Sequence, residues 1–266
     1  MATETFGVAE LHYELRGDGP AVLFIPGLPG DGGQFGAVAG DLGHDHTVIT
    51  YDRRGNSRSE RPPGWAATSI AEQVADAAAL LERVDGGTLV YGSSVGAIIA
   101  LELARTRPEL VTLALLHELP LLSVLADPAP VAAAIGEIVE PAFAHGGPDA
   151  ALEAFLRFAV GDANVAALRP ADRARMLGNG EVAMTIELPE FQAYRPEPHA
   201  LAGVAARPLV GEDQVLPFFD EAAQWLARAL GCEVGVAPGA HGPQFDRPRE
   251  LAALIRSAVQ ETRAGR

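Results

Sequence analysis

The sequence predicts an α/β fold: a mostly parallel eight-stranded sheet with helices on both faces, interrupted by a helical insertion. Three observations support this prediction: short apolar runs typical of buried strands, amphipathic segments between them, and one long stretch without such runs. The chain has 266 residues, of which 48% are hydrophobic, so it is long enough for one large core domain with a modest insertion.

The predicted strands and helices alternate along most of the chain. An alternating apolar and polar pattern predicts a half-exposed strand, and continuous apolar runs predict strands buried on both faces. These strands are predicted at 11–17, 21–27, 46–52, 87–92, 111–118, 207–211 and 232–238. Helical spacing of apolar residues predicts helices over 69–84, 95–108, 217–230 and 250–260. Because helices separate the strands, most strands are expected to run parallel.

The pattern changes in the middle of the chain. From 120 to 199 the sequence is rich in alanine, repeatedly broken by prolines, and contains no run that predicts a buried strand. We predict that 120–199 is a helical cap, or lid, inserted into a core domain formed by 1–119 and 200–266. Such a cap would cover the carboxyl ends of the strands, where open α/β sheets bind ligands.

The charge composition argues against two classes of partner. The formal net charge is −15, with 35 acidic residues against 20 basic ones, all of them arginine. An acidic surface repels phosphates and anionic lipid headgroups, so neither nucleic acid nor a membrane is an expected partner. The single cysteine, Cys232, excludes an intrachain disulfide. The N-terminal residues lack the pattern of a secretory signal, which predicts a cytoplasmic protein.

The strongest local motif is Gly92-Ser93-Ser94-Val95-Gly96, a G-x-S-x-G sequence between a predicted strand and a predicted helix. This context is typical of a nucleophile held on a sharp turn, where larger side chains two residues away would collide. The glycine positions favour Ser94 as the nucleophile over its neighbour Ser93.

A histidine near the C-terminus is the predicted general base. His241 lies in the loop between the last predicted strand and the last predicted helix, so it should reach the same sheet edge as Ser94. Its place after both the serine and the candidate acids follows the chain order of such triads. No spacing typical of metal ligands occurs, and the mechanism requires neither a metal nor a cofactor.

Two carboxylates compete for the role of the acid that orients the base. Glu118 ends the apolar run 111–118, and a charge in such surroundings costs free energy unless it is paired, for example with His241. Asp213 follows the strand 207–211, where the acid of a triad commonly lies, but it is one residue out of register. Its neighbour Glu212 is a further alternative.

Two backbone amides are predicted to bind the oxyanion. The strand 21–27 runs into a Gly/Pro turn, and the loop after this strand contributes one amide while the residue after the nucleophile contributes the other. These positions correspond to Leu28 and Val95. The residues predicted to contact the substrate are Gly27, Pro29, Ser93, Phe191 and Tyr194. The segment 52–59 is interpreted as a structural loop near the oxyanion site.

Several segments together resemble α/β-hydrolases along nearly the whole chain outside 120–199. They are IPGLPG, YDRRGNSRS, YGSSVG, LLHELP, LVGEDQVLPFFD and APGAHGP. The segment 117–120 is most similar to zearalenone lactonases, whose acid is a glutamate in an H-E-L-P sequence. This resemblance implies a triad of Ser94, His241 and Glu118. It does not extend to the cap tryptophan that contacts the substrate in that family, because both tryptophans of this chain lie outside 120–199.

The expected function is hydrolysis of a small, mostly apolar carboxylic ester or lactone through an acyl-enzyme, with a zearalenone-like macrolactone among the candidates. The apolar composition of 120–199 favours an apolar substrate. Two alternatives use the same fold. A carbon–carbon bond hydrolase or a perhydrolase would share the triad, whereas a small-molecule receptor would bind its ligand and hydrolyse it weakly.

Overall fold

The computed structural model describes residues 2–6 and 9–264, and its strands form one eight-stranded sheet in the order β1-β2-β4-β3-β5-β6-β7-β8. The strands are β1 (Ala2–Phe6), β2 (Ala9–Arg16), β3 (Ala21–Ile25), β4 (Thr47–Tyr51), β5 (Thr88–Ser93), β6 (Val111–His117), β7 (Ala206–Gly211) and β8 (Gly235–Ala237). The β2 strand pairs antiparallel with β1 and β4, and the other pairs are parallel. The predicted mostly parallel sheet is therefore confirmed.

Helices connect the strands, as the alternating pattern predicts. The α-helices are α1 (Gly36–Leu42), α2 (Ile70–Leu81), α3 (Val95–Thr106), α4 (Ala129–Val160), α5 (Asp162–Ala167), α6 (Pro170–Leu177), α7 (Leu188–Ala193), α8 (Phe218–Leu230), α9 (Pro243–Asp246) and α10 (Pro248–Ala264). Over 2–6 and 9–264, none of the helices has both the length and the apolar character needed to cross a bilayer.

Both faces of the central strands are buried, which explains the continuous apolar runs. Successive side chains of a strand point to opposite faces. In β3, Val22 and Phe24 pack in a core that includes α1 and α10, whereas Leu23 and Ile25 pack in a core that includes α2, α3 and α8. All five residues of β3 are buried. Burial of each large apolar side chain stabilises the fold by about 1.5–3 kcal/mol.

The chain between β6 and β7 is helical, and no strand occurs there among its described residues. It contains α4 to α7, a π-helical turn over Val182–Glu187 and short 3-10 turns. The α4 helix is interrupted at Gly147, which has φ 71° and ψ −164° and precedes a proline. The buried residues of α4 all follow this interruption, and Phe143 before it is 44% exposed. The first half of α4 is therefore only loosely packed against the rest of the molecule.

Candidate active site

Ser94 lies on the sharp turn between β5 and α3 that the motif predicts. Its backbone has φ 54° and ψ −126°, a conformation that costs a non-glycine residue on the order of 1–3 kcal/mol. The turn is tightly packed: a Cβ at Gly92 would overlap the carbonyl oxygen of Gly96, and a Cβ at Gly96 would overlap that of Ile25. Both glycines are therefore required by close backbone approach.

Two backbone amides lie beside Ser94 in the arrangement predicted for an oxyanion site. Leu28 and Val95 line the same cavity as Ser94, and neither amide donates to another group in the described parts of the chain. A Cβ at Gly27 would lie 2.9 Å from the Ser94 Cβ, so the loop after β3 passes directly over the serine. Unpaired amides at this loop and at the start of α3 can stabilise negative charge that develops near Ser94.

A buried hydrogen bond joins His241 to Glu118. His241 Nδ1 lies 2.6 Å from Glu118 Oε2, and the amide of Gly211 donates to Glu118 Oε1 over 3.0 Å. Burial raises the pKa of Glu118, but the His241 hydrogen bond, the charges of His241 and His117, and the Gly211 amide together hold that pKa below its ordinary value. The ionised carboxylate can only accept, so Nδ1 carries the proton and Nε2 of the neutral ring is free to act as a base.

The other two carboxylates considered for the acid contact different groups. Asp213 is 60% exposed and lies 3.6 Å from Arg247 Nη2, and Glu212 accepts a hydrogen bond from the Gly239 amide. Of the three carboxylates, the structure thus brings Glu118 to His241. Within the described residues, no cluster of three or more histidine, cysteine, aspartate or glutamate side chains could hold a metal ion.

A column of rings fixes the plane of the His241 imidazole. Phe219 stacks on His241 with centroids 4.9 Å apart, His117 stacks with His241 at 6.2 Å, and Tyr91 stacks with His117 at 5.9 Å. His117 is completely buried, and within the described chain neither of its ring nitrogens has a hydrogen-bond partner. Burial lowers the pKa of His117 to about 4, although the charge of Glu118 opposes this effect. His117 is therefore neutral at pH 7 and packs as an aromatic ring.

Ser94 and His241 line a cavity beneath the helical segment, which we call the large pocket. Its empty volume is about 670 Å³, including the part that opens to solvent. Its walls are mostly apolar. They include Pro120, Leu122, Phe155, Phe158, Phe191, Phe218 and Phe219. Phe191 was predicted to contact the substrate, whereas the other aromatic residues were not singled out for this role.

A second cavity, the small pocket, meets the large pocket at Ser94 and His241. Its empty volume is about 350 Å³. Two residues predicted to contact the substrate, Gly27 and Ser93, line it, as do Gln34 and Gln244, which the sequence analysis missed. Gln244 lies only three residues after His241, and this spacing is the one signal that could have identified it. The candidate nucleophile and base thus lie where two pockets of different character join.

Two predicted contact residues do not line either pocket. Tyr194 points away from the site, because its hydroxyl donates to Glu102 of α3 over 2.6 Å. Pro29 lies in the predicted loop, but its carbonyl accepts a hydrogen bond from Asn179 of the helical segment. Substrate contact by Tyr194 and Pro29 therefore stays a prediction that the pocket linings do not support.

A buried ion pair connects the floor of the site to the helical segment. Arg53 donates to both carboxylate oxygens of Glu187 over 2.6 and 2.8 Å, and both side chains are fully buried. Asn56 also donates to Glu187, and Arg53 reaches the Gly27 carbonyl at 3.4 Å. The guanidinium lies 5.5 Å from the centre of the Phe191 ring. The loop 52–59 thus contacts both the loop after β3, at Gly27, and one wall of the large pocket, at Phe191.

Comparison with known proteins agrees with this architecture. Residues 22–254 match the alpha/beta hydrolase family, and the chain belongs to that family. Uncharacterized hydrolase YraK of Bacillus subtilis (strain 168) is 40% identical over 118 residues, a match that spans 44% of this chain and 44% of that protein.

Solved structures show the same fold. A thermophilic esterase from Thermogutta terrifontis, with malate bound, superposes with a TM-score of 0.71 at 22% identity, covering 96% of this chain and 94% of that one. Est816, described as an N-acyl homoserine lactone degrading enzyme, has a TM-score of 0.71 at 24% identity and covers 96% and 98%. At these identities the likeness establishes the fold alone.

Proposed function

We propose that this protein hydrolyses carboxylic esters or lactones through an acyl-enzyme formed on Ser94. The observation that carries the proposal is the buried hydrogen bond between His241 Nδ1 and the Glu118 carboxylate. In the neutral ring this bond places the proton on Nδ1 and makes Nε2 the basic nitrogen, and His241 lines the same cavity as Ser94 on its strained turn. A serine, a base oriented by a carboxylate and two unpaired amides together match the requirements of acyl transfer.

In the first half of the proposed reaction, Ser94 Oγ gives its proton to His241 Nε2 and attacks the carbonyl carbon. The oxyanion accepts hydrogen bonds from the amides of Leu28 and Val95, each worth about 3 kcal/mol in comparable sites. The Glu118 carboxylate stabilises the imidazolium that forms. The leaving alkoxide then takes the proton from His241, and the alcohol departs.

In the second half, His241 removes a proton from water, which attacks the acyl-enzyme. The acid is released as Ser94 recovers its proton from His241. Among the described residues, the Ser94 hydroxyl makes no hydrogen bond to His241, so the mechanism requires the hydroxyl to reach Nε2 when substrate is bound. Hydrogen bonds of this kind commonly tighten only in the substrate complex.

The mostly apolar lining of the large pocket supports an apolar substrate. We also propose that 120–199 functions as a cap, since residues of this segment form much of that lining. The likeness to an esterase and to an N-acyl homoserine lactone degrading enzyme points to ester and lactone substrates. The resemblance of 117–120 to zearalenone lactonases makes that macrolactone one substrate to test.

The experiment compares hydrolysis of p-nitrophenyl esters, an acyl homoserine lactone and zearalenone by four proteins. Ser94→Ala should abolish turnover, and Glu118→Gln should lower kcat about 10³–10⁴-fold because the base loses its orienting charge. Asp213→Asn is the matched control, because it neutralises an exposed carboxylate at the competing position and should retain nearly full activity. A fluorophosphonate should label Ser94 in the wild type.

Two outcomes would contradict the proposal in different ways. A wild type that neither hydrolyses these substrates nor reacts with the fluorophosphonate would exclude the serine mechanism, and tight binding without turnover would favour a receptor. Loss of activity in Asp213→Asn together with a nearly normal Glu118→Gln would instead show that the acid is assigned to the wrong residue.

A further inference from the structure

The small pocket contains a glutamine whose orientation is fixed by its neighbours. Gln34 Nε2 donates to the Asp31 carbonyl over 2.9 Å, so Gln34 Oε1 faces Gln244. Gln244 Nε2 donates to that oxygen over 2.9 Å. Reversing the Gln244 amide would bring two oxygens together, and reversing the Gln34 amide would do the same at Asp31. The Gln244 carbonyl oxygen therefore lies on the side away from Gln34.

This carbonyl oxygen is buried and unpaired. Gln244 is 4% exposed, and its Oε1 has no hydrogen-bond partner among the described residues. An unsatisfied buried acceptor costs about 1–3 kcal/mol, so native proteins rarely retain one without a ligand or water to satisfy it. Gln244 lines the small pocket together with Ser94 and His241, and it also lines a more open cavity beside Arg175. A molecule bound in the small pocket, against the reacting groups, would supply the missing donor.

We propose that Gln244 Oε1 accepts a hydrogen bond from the substrate and selects esters that carry a hydroxyl or amide N–H on the group held in the small pocket. This inference rests on the proposed function and specifies its substrate class. The apolar group of the ester lies in the large pocket, whose walls are mostly apolar, and the donor-bearing group lies in the small pocket beside Gln244. A substrate without the donor would leave Oε1 unpaired and would be selected against.

The test uses pairs of esters of equal size that differ by one hydroxyl group. One pair is 2-hydroxyethyl octanoate and propyl octanoate, with the hydroxyl on the alcohol side. The other is octyl hydroxyacetate and octyl propanoate, with the hydroxyl on the acyl side. Because hydroxyl groups change the intrinsic reactivity of esters, the quantity compared is the ratio of kcat/KM within a pair, measured in the wild type and in Gln244→Met.

In one of the two pairs, Gln244→Met should lower the ratio about tenfold, as expected for one lost hydrogen bond. The ratio should fall because the hydroxylated ester loses more activity than the plain ester, while any effect of the changed pocket wall acts on both esters alike. Gln244→Leu should behave alike. The matched control is Phe245→Leu, which changes the same pocket without altering a hydrogen bond. Its rates should change for both esters, but the ratio should stay that of the wild type.

An unchanged ratio in both pairs would overturn the inference, because a bound water would then be the partner of Oε1. An equal loss on both members of a pair would also overturn it, since Gln244 would then act by supporting His241. Either result would leave the proposed function intact, provided that the wild type hydrolyses the plain esters and is labelled at Ser94. Absence of both hydrolysis and labelling would contradict the proposed function itself.

Discussion

Replacement of His117 by phenylalanine should remove a large part of the acid sensitivity of the fold. The His117 ring is completely buried, and in the described structure its nitrogens make no hydrogen bond. Burial lowers its pKa from 6.5 to about 4. The folded protein therefore holds a neutral ring between pH 6.5 and 4, whereas the unfolded chain binds a proton there.

The sign and size of the effect follow from this difference. The pKa of His117 is lower in the folded protein than in the unfolded chain. Its contribution to stability is therefore fully present above the unfolded pKa of 6.5 and is lost as the pH falls to the folded pKa of about 4. In this interval, each pH unit lowers the free energy of unfolding by about 1.4 kcal/mol for each proton that only the unfolded chain binds. His117 thus accounts for a loss of about 2 kcal/mol between pH 7 and 4.5, and about 3 kcal/mol in total.

Urea unfolding at pH 7 and pH 4.5 measures this contribution in the wild type and in His117→Phe. Titrating groups away from His117 contribute equally to both proteins, so the wild type should lose about 2 kcal/mol more than the variant. His145→Phe is the matched control, because it makes the same substitution at an exposed position. If the wild type and His117→Phe lose equal stability between the two pH values, the buried ring is not neutral and the reasoning fails.

Two further predictions concern stability and can be measured by urea unfolding at pH 7. Gly96→Ala should destabilise the protein by about 3 kcal/mol or more, because the new Cβ overlaps a backbone oxygen of β3. In contrast, Gly136→Ala in the loosely packed part of α4 should stabilise it by up to about 1 kcal/mol. Glu187→Gln should lower the free energy of unfolding by about 3–5 kcal/mol, because Arg53 remains buried without its counter-charge. Arg107→Ala, which breaks an ion pair at the surface, should have a far smaller effect. Similar losses in the two members of either comparison would contradict these predictions.

The features predicted best from the sequence are those encoded by neighbouring residues. Apolar runs between turns identified the buried strands, and the spacing of Gly92, Ser94 and Gly96 identified the sharp turn. The α1 helix was missed, because its seven residues include two glycines and are too few to show a helical period. The β8 strand is shorter than predicted, with only Gly235–Ala237 paired to β7 at the edge of the sheet.

The parts of the site that depend on distant partners were harder to predict. Glu118 could be proposed only because a carboxylate at the end of an apolar run needs a partner, which the structure supplies 123 residues away. No comparable signal marks Glu187, whose partner Arg53 is 134 residues away. The hydrogen bond between the Tyr194 hydroxyl and Glu102 could not be predicted either, because tertiary contacts set the direction of an aromatic side chain at a helix end.

The helical segment is packed unevenly, because the buried residues of α4 all follow Gly147, and this affects which substitutions the protein can accept. Substitutions in the first half of α4 meet few packed neighbours, so this surface can change and alter what enters the large pocket while the fold remains intact. Substitutions near Glu187 would instead displace Arg53, which also donates to the Gly27 carbonyl, and would thereby disturb the loop above Ser94. Libraries aimed at new substrates should therefore begin at Ile135, which lines the large pocket from the loosely packed half of α4. The other pocket residues of this helix, such as Phe155 and Phe158, follow Gly147.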